Sequence, residues 1–545
     1  MTAQLARATG PDAGRSRTIS MLDLLDDSAA GNGTVHFVGD EPEPTSIGAL
    51  WDSADIAARW MATKVGTGGT VAAVLTNTRP CVAALFGAWR AGCTVASLPL
   101  PARGMSPQAY TEQLTRFCAA AGAQMLLLDA AQASLLDDAP LAVYTFDETL
   151  SGGPPSSFSG QGALVQFTSG SIGTPKGIYL TLEAVAANVT AIVTALDPVA
   201  GDASCSWLPL SHDMGLIGQL LAPLAAGTRE FGHHSLTLMK PETFMANPRS
   251  WLRTCAATES TITVAPNFAL ELAVRTSRRI GSLDLSRLRA ITVGSEAVRA
   301  DTLERFAEAF APTGFRPVAL CPGYGLAEAT LAVTLVRPHV PWRSIPRPAD
   351  GDGPGGTAAA LVSTGSALSG VEVRVAPSDG LVGPIEFRSP SMLSRYIGAD
   401  LCLTDDGYFV TGDIGLMHEG ELFVVGRGDE AIVVAGRNVY PDDIETAVHH
   451  ESIRQGCIAA VAAPDGGLAI VVEPSKSMST AELETACRGI RTAVASQTGC
   501  ALATVAFVPR GSLPKTPSGK LRRLAIGRSL ATDDDAGMLA RMNFG

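Results

Sequence analysis

Short apolar runs alternating with helix-spaced segments constrain this chain more than any other feature. Val71-Ala-Ala-Val-Leu75, Thr94-Val-Ala-Ser-Leu98 and Met125-Leu-Leu-Leu-Asp129 are almost unbroken in apolar residues. Strands read this way when both faces of their sheet are covered. Before and between them lie helical patterns: Leu50, Ala54, Ala57, Ala58 and Met61 share one face over 47–65, and 81–91 and a segment ending near Ala121 follow suit. This βαβ rhythm predicts a parallel-rich sheet clothed by helices. A short strand over 34–38 precedes it, and it resumes with helices over 183–196 and 216–224 and strands over 204–209, 261–264 and 290–293.

A proline- and glycine-rich excursion over 338–356 ends the rhythm. Val371-Glu-Val-Arg-Val375, Ile385-Glu-Phe387 and Glu421-Leu-Phe-Val-Val425 then alternate apolar and polar, as antiparallel strands of a small barrel do. The expected architecture is α/β. A large N-terminal domain over 20–428 holds parallel-rich sheets and a β-barrel subdomain over about 360–428, and a small mobile α+β domain spans 429–545. Residues 1–19 carry arginines but no apolar run and are expected to be a flexible tail without a secretory signal.

Between two apolar runs, Leu164-Val-Gln-Phe167 and Ile178-Tyr-Leu180, lies a turn of hydroxyls and glycines ending in Lys176. Gly170, Gly173 and Gly177 leave the backbone free to bend, and Thr168, Ser169, Ser171 and Thr174 add donors beside free N–H groups. Such a loop suits an anion, with Lys176 as a point charge. It is not a P-loop, because Pro175 and Gly177 flank the lysine where that motif needs Gly and Ser/Thr.

The net charge of −12 argues against broad binding to nucleic acid or anionic membranes. Ten cysteines without a C-x-x-C pair read as reduced, buried thiols of a cytoplasmic protein, not as a disulfide frame or zinc site. No apolar run approaches the ~18 residues of a membrane span. His233-His234 and His449-His450 match no metal-ligand spacing.

Further polar stretches follow in order. They are Trp207-Leu-Pro-Leu-Ser-His-Asp-Met-Gly-Leu-Ile-Gly218, Gly294-Ser-Glu296, Gly323-Tyr-Gly-Leu-Ala-Glu-Ala-Thr330, Tyr408-Phe-Val-Thr-Gly-Asp413, Gly426-Arg427 with Gly436-Arg-Asn-Val-Tyr-Pro-Asp-Asp-Ile-Glu445, and Leu513-Pro-Lys-Thr-Pro-Ser-Gly-Lys-Leu-Arg-Arg523. Taken singly, Asp413 reads as a turn cap, Arg427 as a partner of Glu430, Glu328 as an acid near a helix start, Lys520 as a loop lysine and His212 as a structural histidine. Their order in one chain changes that reading.

The ordered set resembles the adenylate-forming superfamily of acyl-CoA synthetases, adenylation domains and luciferases, from about Ile47 to Arg523. The wording of the His212 and Tyr324 stretches, Ala265-Pro-Asn-Phe-Ala269 and the Gly436 stretch resembles that of fatty acyl-AMP ligases. The resemblance implies ATP-dependent conversion of a carboxylic acid to acyl-AMP and pyrophosphate, then transfer to a thiol. A carboxylate is already ionised at neutrality, with a reference pKa of about 4, so the obstacle is charge repulsion, met by positioning and cations.

By the same resemblance, residues 168–177 hold the β,γ-phosphates, Glu328 helps hold Mg²⁺, and Lys520 bridges the attacking carboxylate and the α-phosphate. Asp413 takes the ribose hydroxyls and Arg427 approaches the ribose or α-phosphate. Gly294, Ser295 and Glu296, with Gly323, Tyr324, Gly325, Leu326 and Ala327, border the adenine, and His212 joins the catalytic set. Trp207, Met214, Ile217 and Phe268 form an acyl pocket that suits a hydrophobic acid, either a linear chain or a ring system.

Three departures stand out. Ile172 occupies a position where a hydroxyl is usual, which costs about 1 kcal/mol of phosphate contact. Ala327 replaces a threonine, as it does in fatty acyl-AMP ligases. Asp429-Glu430 takes the place of Lys-Asp at the hinge, which bears on the domain rotation that precedes thiol transfer. The expected acceptor is a carrier-protein phosphopantetheine, to which Lys520, Arg522, Arg523 and Arg528 offer a basic face. The alternatives are CoA, as in a complete acyl-CoA synthetase, and a nucleotide-binding homologue without turnover.

Overall fold

A computed structural model describes residues 6–9, 19–101, 105–134, 136, 141–154, 158, 161–167, 176–227, 234–277, 283–348, 360–376, 381–434, 437–448, 452–463, 467–498, 500–515, 521–531 and 538–544. Two large sheets dominate it. One runs Arg395–Ile397, Gly177–Thr181, Ala163–Phe167, Thr94–Ser97, Thr70–Ala73, Met125–Leu128, Ala142–Thr145. Its last five strands are parallel, and the hairpin Ala163–Phe167/Gly177–Thr181 adds antiparallel strands at the other edge. All four residues of Met125–Leu128 are buried, as an unbroken apolar run requires.

The second sheet centres on the parallel strands Ala203–Ser206, Ile262–Ala265, Ala290–Val293 and Leu320–Gly325, where Ala332–Leu335 turns antiparallel. Helices Ile47–Lys64, Arg79–Arg90 and Leu182–Leu196 contribute to one apolar core shared by both sheets. Gly87 lets the first two of these helices touch, since a Cβ there would lie 2.6 Å from the Ala57 Cβ and 2.8 Å from the Ala54 carbonyl. Asp202 and Arg289 form an almost fully buried ion pair. Arg289 also donates to the Leu196 carbonyl at 2.8 Å, and Thr261 donates to Asp202 at 2.6 Å. Burial raises the Asp202 pKa, but the Arg289 and Thr261 bonds outweigh it, and the carboxyl lies below its ordinary range.

The barrel strands form a five-stranded antiparallel sheet of Ala6–Thr9, Glu372–Val375, Gly383–Arg388, Phe409–His418 and Glu421–Arg427. Here the tail expectation is corrected: the backbone of Ala6–Thr9 pairs antiparallel with Glu372–Val375. An edge strand with unused N–H and C=O groups accepts an extended segment whatever its composition, which composition alone did not reveal. In the 338–356 excursion, Ser344–Ile345 pairs with Leu361–Val362, and residues 349–359 lie outside the described set. Ile453–Ala462, Leu468–Pro474, Leu502–Phe507 and Ala540–Asn543 make a separate sheet with its own apolar core around Ile444, Val472, Ile490 and Phe507.

One helix departs from its pattern. The segment read as continuous over 216–224 is an α-turn Asp213–Leu216, a π-turn Ile217–Leu221 and a second α-turn Ala222–Ala226. Pro223 has no N–H for a normal bond to the preceding turn, and a wider turn accommodates the loss.

Candidate active site

A single cleft of about 3150 Å³ runs between the second sheet, the barrel strands and the C-terminal segment. The chain places Tyr324 at the end of Leu320–Gly325, where Gly325 is obligatory: a Cβ there would sit 1.8 Å from the Leu331 carbonyl. The Tyr324 hydroxyl donates to Asp413 Oδ2 at 2.6 Å. Burial first, then the Asp413 carboxylate, pushes the phenol well above its ordinary range, so it stays a donor. Asp413 stands opposite Arg427 in the barrel ladder, with Oδ1 4.0 Å from the guanidinium. Arg427 is instead gripped by Asp429 through bonds of 2.9 and 3.2 Å. Asp429, not Glu430, is thus the acid that partners Arg427 when that residue is read as an ordinary ion pair. Glu430 pairs with Arg523 at 2.8 Å, because the 3₁₀ turn Gly428–Glu430 sends its two acids in different directions.

Glu328 lies in the 3₁₀ turn Ala327–Ala329. Its Oε1 accepts from the Tyr396 hydroxyl at 2.9 Å, and Lys176 Nζ sits 3.6 Å from the centre of the Tyr396 ring. Tyr396 thus joins a cation and a carboxylate that the sequence keeps 152 residues apart, by the numbering of Lys176 and Glu328. Burial and the Glu328 charge raise its phenol pKa, which keeps the proton on oxygen. Sequence reasoning missed Tyr396, since a three-residue edge strand, Arg395–Ile397, carries no pattern. Beside Glu328, Thr330 holds φ at 73° and donates to the Ser391 carbonyl at 2.7 Å. Ser295 holds φ at 70°. Non-glycine residues in this region cost of order 1–3 kcal/mol and concentrate where function over-determines the backbone.

His212 stands at the N-cap position of the Asp213–Leu216 turn. Its Nδ1 lies 2.6 Å from Asp213 Oδ1, and Nε2 lies 3.5 Å from the Ser295 hydroxyl. The Met214 N–H reaches Asp213 at 2.6 Å but Nδ1 only at 3.3 Å. The shorter bond assigns that N–H to the carboxylate, which places the His212 proton on Nδ1. Glu296 accepts from the Phe268 N–H at 2.6 Å, so it caps the helix Asn267–Thr276 from the cleft floor. Gly294, Ser295, Gly323, Leu326 and Ala327 line the cleft beside it.

Of the expected acyl residues, Trp207, Met214 and Phe268 line the cleft, with Trp207 stacked on Phe244 at 3.7 Å. The Trp207 indole N–H has no hydrogen-bond partner among the described residues. Ile217 is a correction: it is fully buried in the core and is absent from the cleft wall. The π-turn shifts the helical phase, so Gly218 and Gln219 face the cavity instead. Thr168, Ser169, Gly170, Ser171, Ile172, Gly173, Thr174 and Lys520 lie outside the described residues. The neighbours of Lys520 are described: Lys515 and Leu521 pair across its loop, and both line the cleft.

Charges hold the C-terminal segment against the cleft. Arg523 binds Glu430, Asp442 at 2.6 Å and Glu445 at 2.7 Å, while Arg347 binds Asp443 and lies over the Tyr440 ring at 4.9 Å. Burial lifts Asp443 to about 6, against the pull of Arg347. A carboxyl raised when folded is stabilising only while protonated. Its contribution falls as pH rises from about 4 to 6, by roughly 3 kcal/mol in all. Melting curves should therefore show a steeper fall in Tm over this window for the wild type than for Asp443→Asn. Parallel profiles would refute the assignment.

With this geometry in place, the relatives are informative. Residues 25–397 match the family described as AMP-binding enzyme. The chain is 35% identical over 418 residues to long-chain-fatty-acid–AMP ligase FadD26 of Mycobacterium marinum, covering 68% of this chain and 70% of that one. It is 34% identical over 400 residues to the medium-chain-fatty-acid–[acyl-carrier-protein] ligase JamA of Moorena producens, covering 67% of each. A solved structure from work on fatty acyl-adenylate ligases of E. coli and L. pneumophila superposes with a TM-score of 0.85 at 25% identity, covering 95% of this chain and 99% of that one. The chain belongs to the AMP-binding enzyme family, among its fatty acyl-AMP ligases.

Proposed function

We propose that the protein activates a hydrophobic carboxylic acid with ATP and passes the acyl group to a carrier-protein phosphopantetheine thiol, directly or through a partner enzyme. The observation that carries this is the single cleft in which a nucleotide-sized polar floor, with Tyr324, Asp413, Glu328 and Lys176, meets an apolar wall of Trp207, Met214 and Phe268. In the first step a carboxylate oxygen bonds to the α-phosphorus, the bond to the β-phosphate oxygen breaks, and pyrophosphate leaves. In the second a thiol sulfur bonds to the acyl carbon, AMP departs, and the thiol proton passes to solvent.

The chain's residues take these parts. Asp413, oriented by Tyr324, accepts from the ribose hydroxyls. Ser295, Gly294 and the backbone of 323–327 border the adenine, and Glu296 fixes the helix behind them. Lys176 and the loop before it meet the β,γ-phosphates, while Lys520 reaches the α-phosphate and the attacking carboxylate. His212 stands where the polar floor meets the acyl wall. Glu328 suits Mg²⁺, since one carboxylate plus phosphate oxygens matches the ion's preference for few protein ligands. When bound there, the ion supplies charge neutralisation between the phosphates. Asp429 and Glu430 act as a hinge whose acids engage Arg427 and Arg523, so the C-terminal segment is held by ion pairs when the adenylate forms.

The test is acid-dependent pyrophosphate release over a panel of carboxylic acids, followed by addition of a holo-carrier protein or CoA. Release with hydrophobic acids and acylation of the carrier protein is expected. Rapid acyl-CoA formation would replace the carrier-protein reading with that of a complete synthetase. No release with any acid would refute the activity.

A further inference from the structure

The wall of the cleft holds a buried polar group left unpartnered by the described residues. Gln219 sits in the π-turn Ile217–Leu221, is 2% exposed, and its amide oxygen has no hydrogen-bond partner among the described residues. It lines the main cleft and also a void of about 10 Å³ behind it. That void is bounded by Ser204 and His234, which bond each other at 2.9 Å and leave the amide out. A void of this size is at the lower limit for even one water, so the channel ends here. Gly218 opens the approach: a Cβ there would come within 3.1 Å of Leu331 Cδ2.

A buried amide with nothing to bind is unfavourable to the empty protein and persists where a ligand completes it. Gln219 lies seven residues beyond His212 by their numbering, a span of up to roughly 10 Å at about 1.5 Å per residue. With the carboxylate of the acid held near His212, as the proposed activity requires, a group this far along the wall meets the part of the acid remote from its carboxylate. The orphaned atom is an amide oxygen, an acceptor, so it matches a hydroxyl that donates to it and not a keto oxygen or an anion.

Building on the activity proposed above, we infer that the preferred substrate is a hydrophobic acid bearing a hydroxyl group far from its carboxylate, which donates to the Gln219 amide oxygen. Selectivity then comes from this amide, because an apolar channel alone discriminates poorly between isosteres that differ by one oxygen.

The experiment compares dodecanoic acid with its mono-hydroxy derivatives, the hydroxyl moved stepwise along the chain, for wild type and Gln219→Leu. Two readings are taken: the shift in melting temperature on acid binding, and acid-dependent pyrophosphate release. The expected result is one hydroxyl position that raises kcat/KM at least about tenfold over the plain acid, with a matching melting shift. Gln219→Leu should abolish that advantage, raise activity toward the plain acid, and melt no lower than wild type, since no protein hydrogen bond is lost. Equal responses to all acids, or a selectivity that Gln219→Leu leaves intact, would overturn the inference. Pyrophosphate release without selectivity would do so while sparing the activity. Selective melting shifts without release would support the inference while refuting the activity.

Discussion

Glu328→Gln is expected to lower kcat/KM for acid-dependent pyrophosphate release by about 10²–10³, the usual effect of removing one group that stabilises transition-state charge. The substitution keeps the side-chain shape and an acceptor for Tyr396, 2.9 Å away, but removes the charge that suits the metal. Tyr396→Phe tests the same unit from the other side. It leaves the ring beneath Lys176, deletes one bond to Glu328, and should cost about 10- to 100-fold, a charge-assisted hydrogen bond being worth roughly 1.5–3 kcal/mol. The two losses should be less than additive, because both act on one carboxylate. Lys520→Ala should produce a loss as large as Glu328→Gln with an unchanged melting temperature. Steady-state pyrophosphate assays on the variants check all of these, and wild-type rates for Glu328→Gln would remove Glu328 from the mechanism.

The largest effect on stability is expected at Asp202. Its carboxylate is 1% exposed and meets the side chain of Arg289, itself buried. Asp202→Ala leaves a buried guanidinium with only the Leu196 and Asp197 carbonyls, and breaking such a pair from one side costs about 3–5 kcal/mol. Replacing both partners with apolar residues should cost much less, since no charge is then stranded. Denaturant unfolding of the single and double variants separates these outcomes. A loss under about 1 kcal/mol for Asp202→Ala would mean that the pair is solvated on the surface scale.

Periodicity made most of the fold legible. Met125–Leu128 and Ala290–Val293 follow their apolar runs closely, and Ile47–Lys64 ends within one residue of its amphipathic pattern. Periodicity failed where a local device reset it. The π-turn at Ile217–Leu221 moved Ile217 into the core and brought Gln219 to the cavity, and no residue count from His212 foresees that shift. The pairing of Ala6–Thr9 depends on a strand more than 360 residues away. Tyr324, Glu328, Asp413 and Arg427 could be singled out because each sits in a distinctive string of residues, and they do line one cleft. Tyr396 sits in no such string and becomes visible only when Arg395–Ile397 is laid against Gly177–Thr181. The partners of Arg427 and Arg523 were equally hidden, because neighbouring acids in a tight turn diverge.

Arg523, three positions after Lys520 in the numbering, gathers carboxylates from the 428–430 turn and from the helix Pro441–Ala447. Three residues of chain span at most about 10 Å, so the lysine cannot travel far while that arginine keeps its companions. Swinging the terminal lobe away to admit a thiol therefore carries that cluster along whole, and parts Arg347 from Asp443 instead. The reagent of the first reaction thus rides on an arm braced within the lobe, while the clasp that must open for the second lies across the cleft.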